Sequence, residues 1–339
     1  MSDEENEDEL NRRHSTLDAH LSPLRLVFMG TPETAVPTLK RCLDDGHEVV
    51  AVWTQPDRPA GRGNRLSAPP IKEFALAHGL TVHQPAKIKT DEARSLFESH
   101  APDLAVVVAY GRILPKSFLD APRRGCLNVH FSLLPKYRGA APVNWAIARG
   151  ERETGVTTMR IDEGLDTGAI LLQRATPVGD GETAPELLAR LAGAGAELLS
   201  ETLARLDELA PRPQREGEAT HAPLLTREDG LIGWRMTAVE IERRARGFQP
   251  WPNAHTIFRG QRLVVWRAGT VAAVEEPAAD ENRQVVPGLI VGAAGGELIV
   301  ACGGGTLLRL EEVQAEGKRR MSARDFLNGT RARAGERLG

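Results

Sequence analysis

Cysteine is scarce and scattered: Cys42, Cys126 and Cys302 are the only three in 339 residues, with no CxxC and no Cys/His cluster. That excludes a disulfide framework and a cysteine-built metal centre, and it points to a reducing, cytoplasmic setting. No apolar run approaches the length needed to cross a bilayer; Leu104–Tyr110 has the length of a buried strand. The first residues lack the basic start and apolar middle of a secretory leader. Net charge is only −3, so no global field draws the chain onto nucleic acid. There is no internal repeat. These absences leave a soluble globular chain of about two domains, expected to be a monomer with neither metal nor membrane attachment.

Charge is uneven at the start. Residues 1–22 hold seven acids (Asp3, Glu4, Glu5, Glu7, Asp8, Glu9, Asp18) against Arg12 and Arg13, which reads as a disordered acidic tail. From Leu24 onward, short β-branched runs alternate with helical patterns. Leu24–Phe28, Glu48–Trp53, Leu104–Ala109 and Cys126–His130 read as strands, and Val156–Ile161 and Ala169–Arg174 as two more. Helices are expected at Thr34–Leu43, Ile71–His78, Asp91–Ser99, Val143–Ala148 and Ala184–Leu209. Continuous apolar runs such as Leu104–Ala109 belong to parallel strands covered on both faces. The alternation means a Rossmann-like, doubly wound open α/β sheet over residues 23–209.

Pro211, Pro213 and Gly217 mark a linker at 210–225. Beyond it, a helix at Ala238–Arg246 is joined by short strands at Leu263–Trp266, Leu289–Val291, Leu298–Ala301 and Leu307–Leu310. That rhythm suggests a small β-barrel, OB-like, over 226–330, with 331–339 as a tail.

Gly30-Thr31-Pro32 follows the first strand where a dinucleotide site would carry G-x-G-x-x-G; Pro32 and Glu33 break that fingerprint. Gly303-Gly304-Gly305 lacks the Lys-Ser/Thr of a phosphate loop and reads as a hairpin turn. The segment Gly125–Pro142 is more informative. Asn128 and His130 are two apart in an extended run, so they share a face. One is a neutral amide donor and the other titrates near neutral pH. They sit at a strand end, where open α/β sheets bind ligands, just before the apolar Ser132-Leu133-Leu134-Pro135.

Asp166 lies between two glycines in Gly164-Leu165-Asp166-Thr167-Gly168. It reads either as an ordinary Asp turn or as a partly buried carboxylate suited to proton transfer. The long Gln55–Pro69 loop carries Arg58, Arg62 and Arg65 among glycines. It reads either as a solvated loop or as a basic finger for phosphates.

Together these residues resemble the methionyl-tRNA formyltransferases, within the 10-formyltetrahydrofolate-dependent formyltransferases. The motifs are Phe28-Met29-Gly30-Thr31-Pro32, Thr54–Gly63, Val107–Gly111, Asn128-Val129-His130, Ser132–Pro135, Arg138–Pro142 and Gly164–Gly168. Pro250-Trp251-Pro252, Gly317-Lys318 and Met321-Ser322-Ala323 extend the resemblance across about residues 23–328. It implies transfer of a formyl group from 10-formyltetrahydrofolate to the α-amine of methionine on initiator tRNA.

It further implies that Asn128 and His130 donate to the developing oxyanion while Asp166 orients His130 and helps move the amine proton. Ser132, Leu133, Leu134 and Pro135 would contact the folate, with Tyr110 and Gly111 lining the pteridine site through backbone groups. Arg58, Arg62 and Arg65 would meet the tRNA acceptor end, and the barrel its stem. The shift of the arginine loop toward a functional reading rests on this resemblance.

Departures are Phe131 where glycine is frequent, and Leu224, Arg227 and Gly233 after the linker. Two other readings share the residues. One is a different formyl-folate enzyme, either a formate-releasing hydrolase or an amino-sugar-nucleotide formyltransferase. The other is a non-enzymatic RNA-binding protein built around the barrel.

Overall fold

The computed structural model describes residues 23–60, 65–271 and 286–339; the acidic stretch 1–22 and Arg62 lie outside them. The chain divides into two compact units. One is drawn from Met1–His130, Thr157–Gln173 and Ala192–Gln214, the other from Phe131–Val156, Arg174–Leu191 and Arg215–Gly339. The second unit therefore takes in two short stretches from within residues 23–209.

The chain begins with β1 (Arg25–Gly30), α1 (Val36–Asp44) and β2 (Glu48–Trp53). A hairpin of β3 (Arg58–Ala60) and β4 (Arg65–Ser67) follows, in the segment whose Gly/Pro content reads as plain loop. Next come α2 (Pro70–Ala77), β5 (Val82–His83), α3 (Asp91–Ser99), β6 (Leu104–Val108), α4 (Lys116–Asp120) and β7 (Cys126–His130). β8 (Arg138–Gly139), α5 (Pro142–Arg149), β9 (Glu153–Arg160), β10 (Ile170–Pro177) and α6 (Ala184–Ala204) complete this region.

The sheet order is β10-β9-β7-β6-β1-β2-β5. From β5 to β7 the neighbours run parallel, and β9 joins β7 antiparallel. The sheet is thus mixed, open and Rossmann-like, as the strand–helix alternation implies. β1 lies between β2 and β6, so the chain leaves it on one side and returns on the other. Ligands of such sheets bind at the carboxyl ends of the strands beside that reversal.

Burial explains the strands. Leu26, Val27, Phe28 and Met29 of β1, and Leu104, Ala105, Val106 and Val108 of β6, are wholly buried. Each large side chain so covered contributes about 1.5–3 kcal/mol. Gly30 ends β1 because a Cβ there would stand 2.8 Å from Ala35 Cβ and 3.1 Å from Val108 O. Trp53 centres an aromatic cluster, with Phe97 at 5.4 Å and Phe118 at 5.6 Å, both edge-on. The cysteines are buried and unpaired, and desolvation pushes their thiols up to about 12.

The carboxyl-terminal part adds β11 (His221–Ala222), α7 (Ala238–Gly247), β12 (His255–Phe258), β13 (Gln261–Val271), β14 (Ile290–Ala294), β15 (Glu297–Ala301), β16 (Leu307–Ala315), β17 (Met321–Ser322) and α8 (Ala323–Thr330). Its antiparallel sheet runs β12-β13-β16-β15-β14, with β17 on β16. Gly303–Gly305 turns between β15 and β16, as read from the sequence.

Residues 331–339 join this core: Ala332 and Leu338 are buried. Leu338 bridges Phe258 beside β12, and Arg337 bridges Leu289 beside β14. The end of the chain thereby links the two edge strands of the sheet.

α7 starts at a capping box in which Thr237 and Glu240 satisfy each other's backbone N–H, a feature worth about 1 kcal/mol. In the same unit, Asn144 of α5 donates to Gly247 O at 2.7 Å. A Cβ at Gly247 would meet Asn144 O at 2.8 Å, so the two helices pack backbone to backbone.

His83 and His100 stand with ring centroids 5.0 Å apart, beside Trp53. Each has a buried Nε2 without a hydrogen-bond partner. Desolvation lowers both from the ordinary 6.5, and His83 and Arg25 lower His100 further. The unfolded chain therefore binds more protons as pH falls below about 6.5, and stability is lost in that direction. We predict a urea midpoint lower at pH 5.5 than at pH 7.5, with the difference reduced in His83→Leu. An equal difference in both proteins would show that this cluster is not the cause.

Candidate functional site

Asn128 and His130 occupy alternate positions on β7, opposite Met159 and Thr157 of β9. Their shared face, expected from the two-residue period, is realised. The loop between β9 and β10 folds back along β7 and brings Asp166 to both. Asn128 Nδ2 donates to Asp166 Oδ1 at 3.4 Å, and His130 Nδ1 lies 3.6 Å from Asp166 Oδ2. The His130 side chain is 6% exposed and that of Asp166 14%. In so shielded a place a carboxylate interacts with its neighbours far more strongly than in water.

Several features hold that loop in place. Asp166 has φ +53, a left-handed conformation that costs a non-glycine residue about 1 kcal/mol or more. Asp162 Oδ1 accepts from Gly164 N at 3.0 Å and from Thr167 Oγ1 at 2.6 Å. Asp162 thereby pins the turn. Gln214 Nε2 donates to Asp166 O and Gly168 O, each at 2.8 Å. Gly168 lies so close to β9 that a Cβ would sit 1.9 Å from Arg160 O. The two glycines flanking Asp166 thus serve close packing.

The other candidates are placed as follows. Ser132 is fully buried, its hydroxyl donating to Lys136 O at 2.7 Å. Leu134 is buried, while Leu133 and Pro135 are half-buried. Phe131 is also buried, at 7% exposure. The Tyr110 ring lies in the core, and its carbonyl accepts from Thr31 Oγ1 and Gln55 Nε2, each at 3.1 Å. Gly111 beside it is exposed with φ +78. Arg58 reaches Gln55 Oε1 at 3.4 Å, and Arg65 begins β4. Among the described residues, no group of three His, Cys, Asp or Glu could hold a metal, and no helix is long and apolar enough to cross a membrane.

Residues 24–203 match the formyl transferase family, and residues 224–331 match its carboxyl-terminal domain. A methionyl-tRNA formyltransferase from Acidobacterium capsulatum is 52% identical over 319 residues, covering 93% of this chain and 100% of that protein. One from Koribacter versatilis is 51% identical over 317 residues, covering 93% and 98%.

The chain belongs to the methionyl-tRNA formyltransferase family. Among solved structures, an N-formyltransferase from Helicobacter canadensis, in complex with folinic acid and dTDP-3-aminofucose, aligns with a TM-score of 0.61 at 17% identity. That alignment covers 86% of this chain and 99% of the other, a likeness of fold. Hydrolase, amino-sugar and non-enzymatic readings are not favoured by these relatives.

Reading this formyltransferase from sequence misses Gln214 and Arg112. Gln214 sits in the linker, and its partners are main-chain carbonyls 46 and 48 residues away. Arg112 follows the Tyr110–Gly111 turn and bonds to Gln55. Neither residue carries a local pattern that would mark it.

We predict that Gly168→Ala destabilises the protein by about 2 kcal/mol or more, because the neighbour it meets is backbone. Gly193→Ala in α6, where nothing lies within 4 Å of the added Cβ, is expected to be neutral or to stabilise by about 0.5–1 kcal/mol. Urea unfolding of the two variants checks both. Equal effects would show that close approach at Gly168 is unimportant.

Proposed function

We propose that Asn128, His130 and Asp166 carry the chemistry by which this formyltransferase moves the formyl group of 10-formyltetrahydrofolate to methionyl initiator tRNA, supporting translation initiation. The observation that carries the reading is one carboxylate within 3.6 Å of both an amide and an imidazole at a strand end.

In the transfer, the α-amine of the methionyl group attacks the formyl carbon and the carbonyl oxygen becomes an oxyanion. The amine proton is lost, and N10 of the folate leaves as the carbonyl re-forms, taking a proton in its turn. With Nδ1 turned to Asp166, His130 directs Nε2 away from it, toward the reacting formyl oxygen. Asn128 supplies a second donor to the same oxygen. Asp166 fixes the ring and accepts the amine proton. Preorganised donors of this kind contribute about 3–4 kcal/mol each.

In this reading Tyr110 and Gly111 meet the pteridine through backbone atoms, and Ser132–Pro135 contact the folate as well. With the Tyr110 carbonyl already accepting two hydrogen bonds, the exposed Gly111 is the better-placed group of its pair. Arg58, Arg62 and Arg65 bind the acceptor end of the tRNA, and the carboxyl-terminal β-domain its stem. The enzyme acts as a monomer in the cytoplasm.

His130→Ala and Asp166→Asn are each expected to lower formyl transfer by about 10²–10³-fold with an unchanged circular-dichroism spectrum. Near-normal activity of either would refute the assignment. Folate turnover should require charged initiator tRNA; equal turnover without it would indicate a hydrolase, and binding without turnover a non-enzymatic protein. Arg62→Ala is expected to raise the tRNA KM and to reduce its salt dependence by about one unit of log–log slope. A change confined to the folate KM would remove the finger from the tRNA site.

A further inference from the structure

The arginine loop and the Tyr110–Gly111 turn are joined by one side-chain amide. Gln55 ends the stretch after β2 and is 8% exposed. Its Nε2 donates to Tyr110 O at 3.1 Å. Its Oε1 accepts from Arg112 Nε at 3.2 Å, Arg112 Nη2 at 3.1 Å and Arg58 Nη2 at 3.4 Å. Because carbonyls only accept and guanidinium groups only donate, these partners leave the amide one orientation.

The surroundings brace it. Arg112 Nη1 donates to Pro85 O at 3.0 Å, and Gln84 Nε2 donates to Gln55 O at 2.8 Å and Asp57 Oδ1 at 2.7 Å. Lys72 Nζ reaches both Asp57 oxygens, at 2.9 and 2.8 Å. Segments following β1, β2, β5 and β6 therefore meet at this point, beside the reversal in sheet order. The turn it holds is unusual: Ala109 and Gly111, on either side of Tyr110, have φ +46 and +78. For Ala109 that conformation persists only where the surroundings enforce it.

We propose that Gln55 is a positioning residue that sets the Tyr110–Gly111 turn and the Arg58-bearing root of the arginine loop relative to each other. This rests on the proposed roles of those two segments in donor and tRNA binding. Gln55 need touch neither substrate. Replacing it disturbs both sites through its partners. Gln55→Glu keeps the acceptor for Arg112 and Arg58 but sets an oxygen against Tyr110 O. Gln55→Met keeps the length and removes every side-chain bond.

The test is steady-state kinetics of the full-length enzyme with methionyl initiator tRNA and 10-formyltetrahydrofolate. Native protein is measured first, so that absence of tRNA-dependent transfer would count against the function and not against this joint. Gln55→Met is expected to raise both KM values at least fivefold, with kcat within about threefold. Gln55→Glu is expected to raise the donor KM while the tRNA KM stays within twofold.

Arg58→Ala should raise the tRNA KM in the native background but less than twofold further beside Gln55→Met, because coupled residues are non-additive. A Gln55→Met protein that melts earlier yet keeps both KM values would reduce Gln55 to a structural role and overturn the proposal. So would equal factors for Arg58→Ala in both backgrounds. If Gln55→Met does not fold, Arg112→Met opens the same joint from its half-buried side, with the same expectations.

Discussion

One carboxylate organises the candidate reaction centre, and it can do so only because a loop doubles back along its own sheet. Asp166 reaches Asn128 and His130 after leaving β9, the strand paired antiparallel with β7. The excursion between β9 and β10 is only nine residues long, 161–169. The short return is tight enough to need glycine at 168, an Asp-based turn at 162 and a glutamine from the linker. The strained φ of Asp166 is held by these contacts, so the position of the carboxylate is decided by groups that take no part in chemistry.

The same economy recurs after β6, the strand beside β7. Parallel strands buried on both faces leave their carboxyl ends as the place where polar side chains can gather. There, side-chain hydroxyls and amides satisfy main-chain carbonyls that a turn leaves over. Thr31 and Gln55 do this at the Tyr110 turn, as Gln214 does at the Asp166 loop. Both of these loops are held by side-chain bonding to their backbone.

Much of this was legible in the sequence. Unbroken apolar runs gave away β1, β2 and β6, because parallel strands need no polar face. The two-residue period placed Asn128 and His130 on one face, and glycines singled out the Asp166 loop. The hairpin of β3 and β4 was hidden, since its Pro, Gly and Arg residues lack any alternation. β13 and β16 are longer than expected, because their ends carry outward polar residues that interrupt the apolar signal. Gln55 and Gln214 could not be recognised for their roles. Each bonds to carbonyls dozens of residues away, and a glutamine in a loop otherwise looks like solvated surface. The match to the formyltransferases supplied what local patterns could not, namely which reaction the enzyme performs.

The last residues of the chain invite a different view of the β-domain. Terminal stretches commonly fray first and carry little of a domain's stability. Here Leu338 is buried, Ile290 N donates to Glu336 O, Leu338 N to Gly288 O and Gly339 N to Ile257 O. The stretch behaves as a seam: it fastens the margins of β12, which Ile232 also meets through His255 O, and of β14. Loosening it would unfasten both margins together and bare two rows of backbone donors and acceptors, the pattern that invites strand-to-strand association between molecules. The final few peptide groups thereby guard both edges of the β-domain at once.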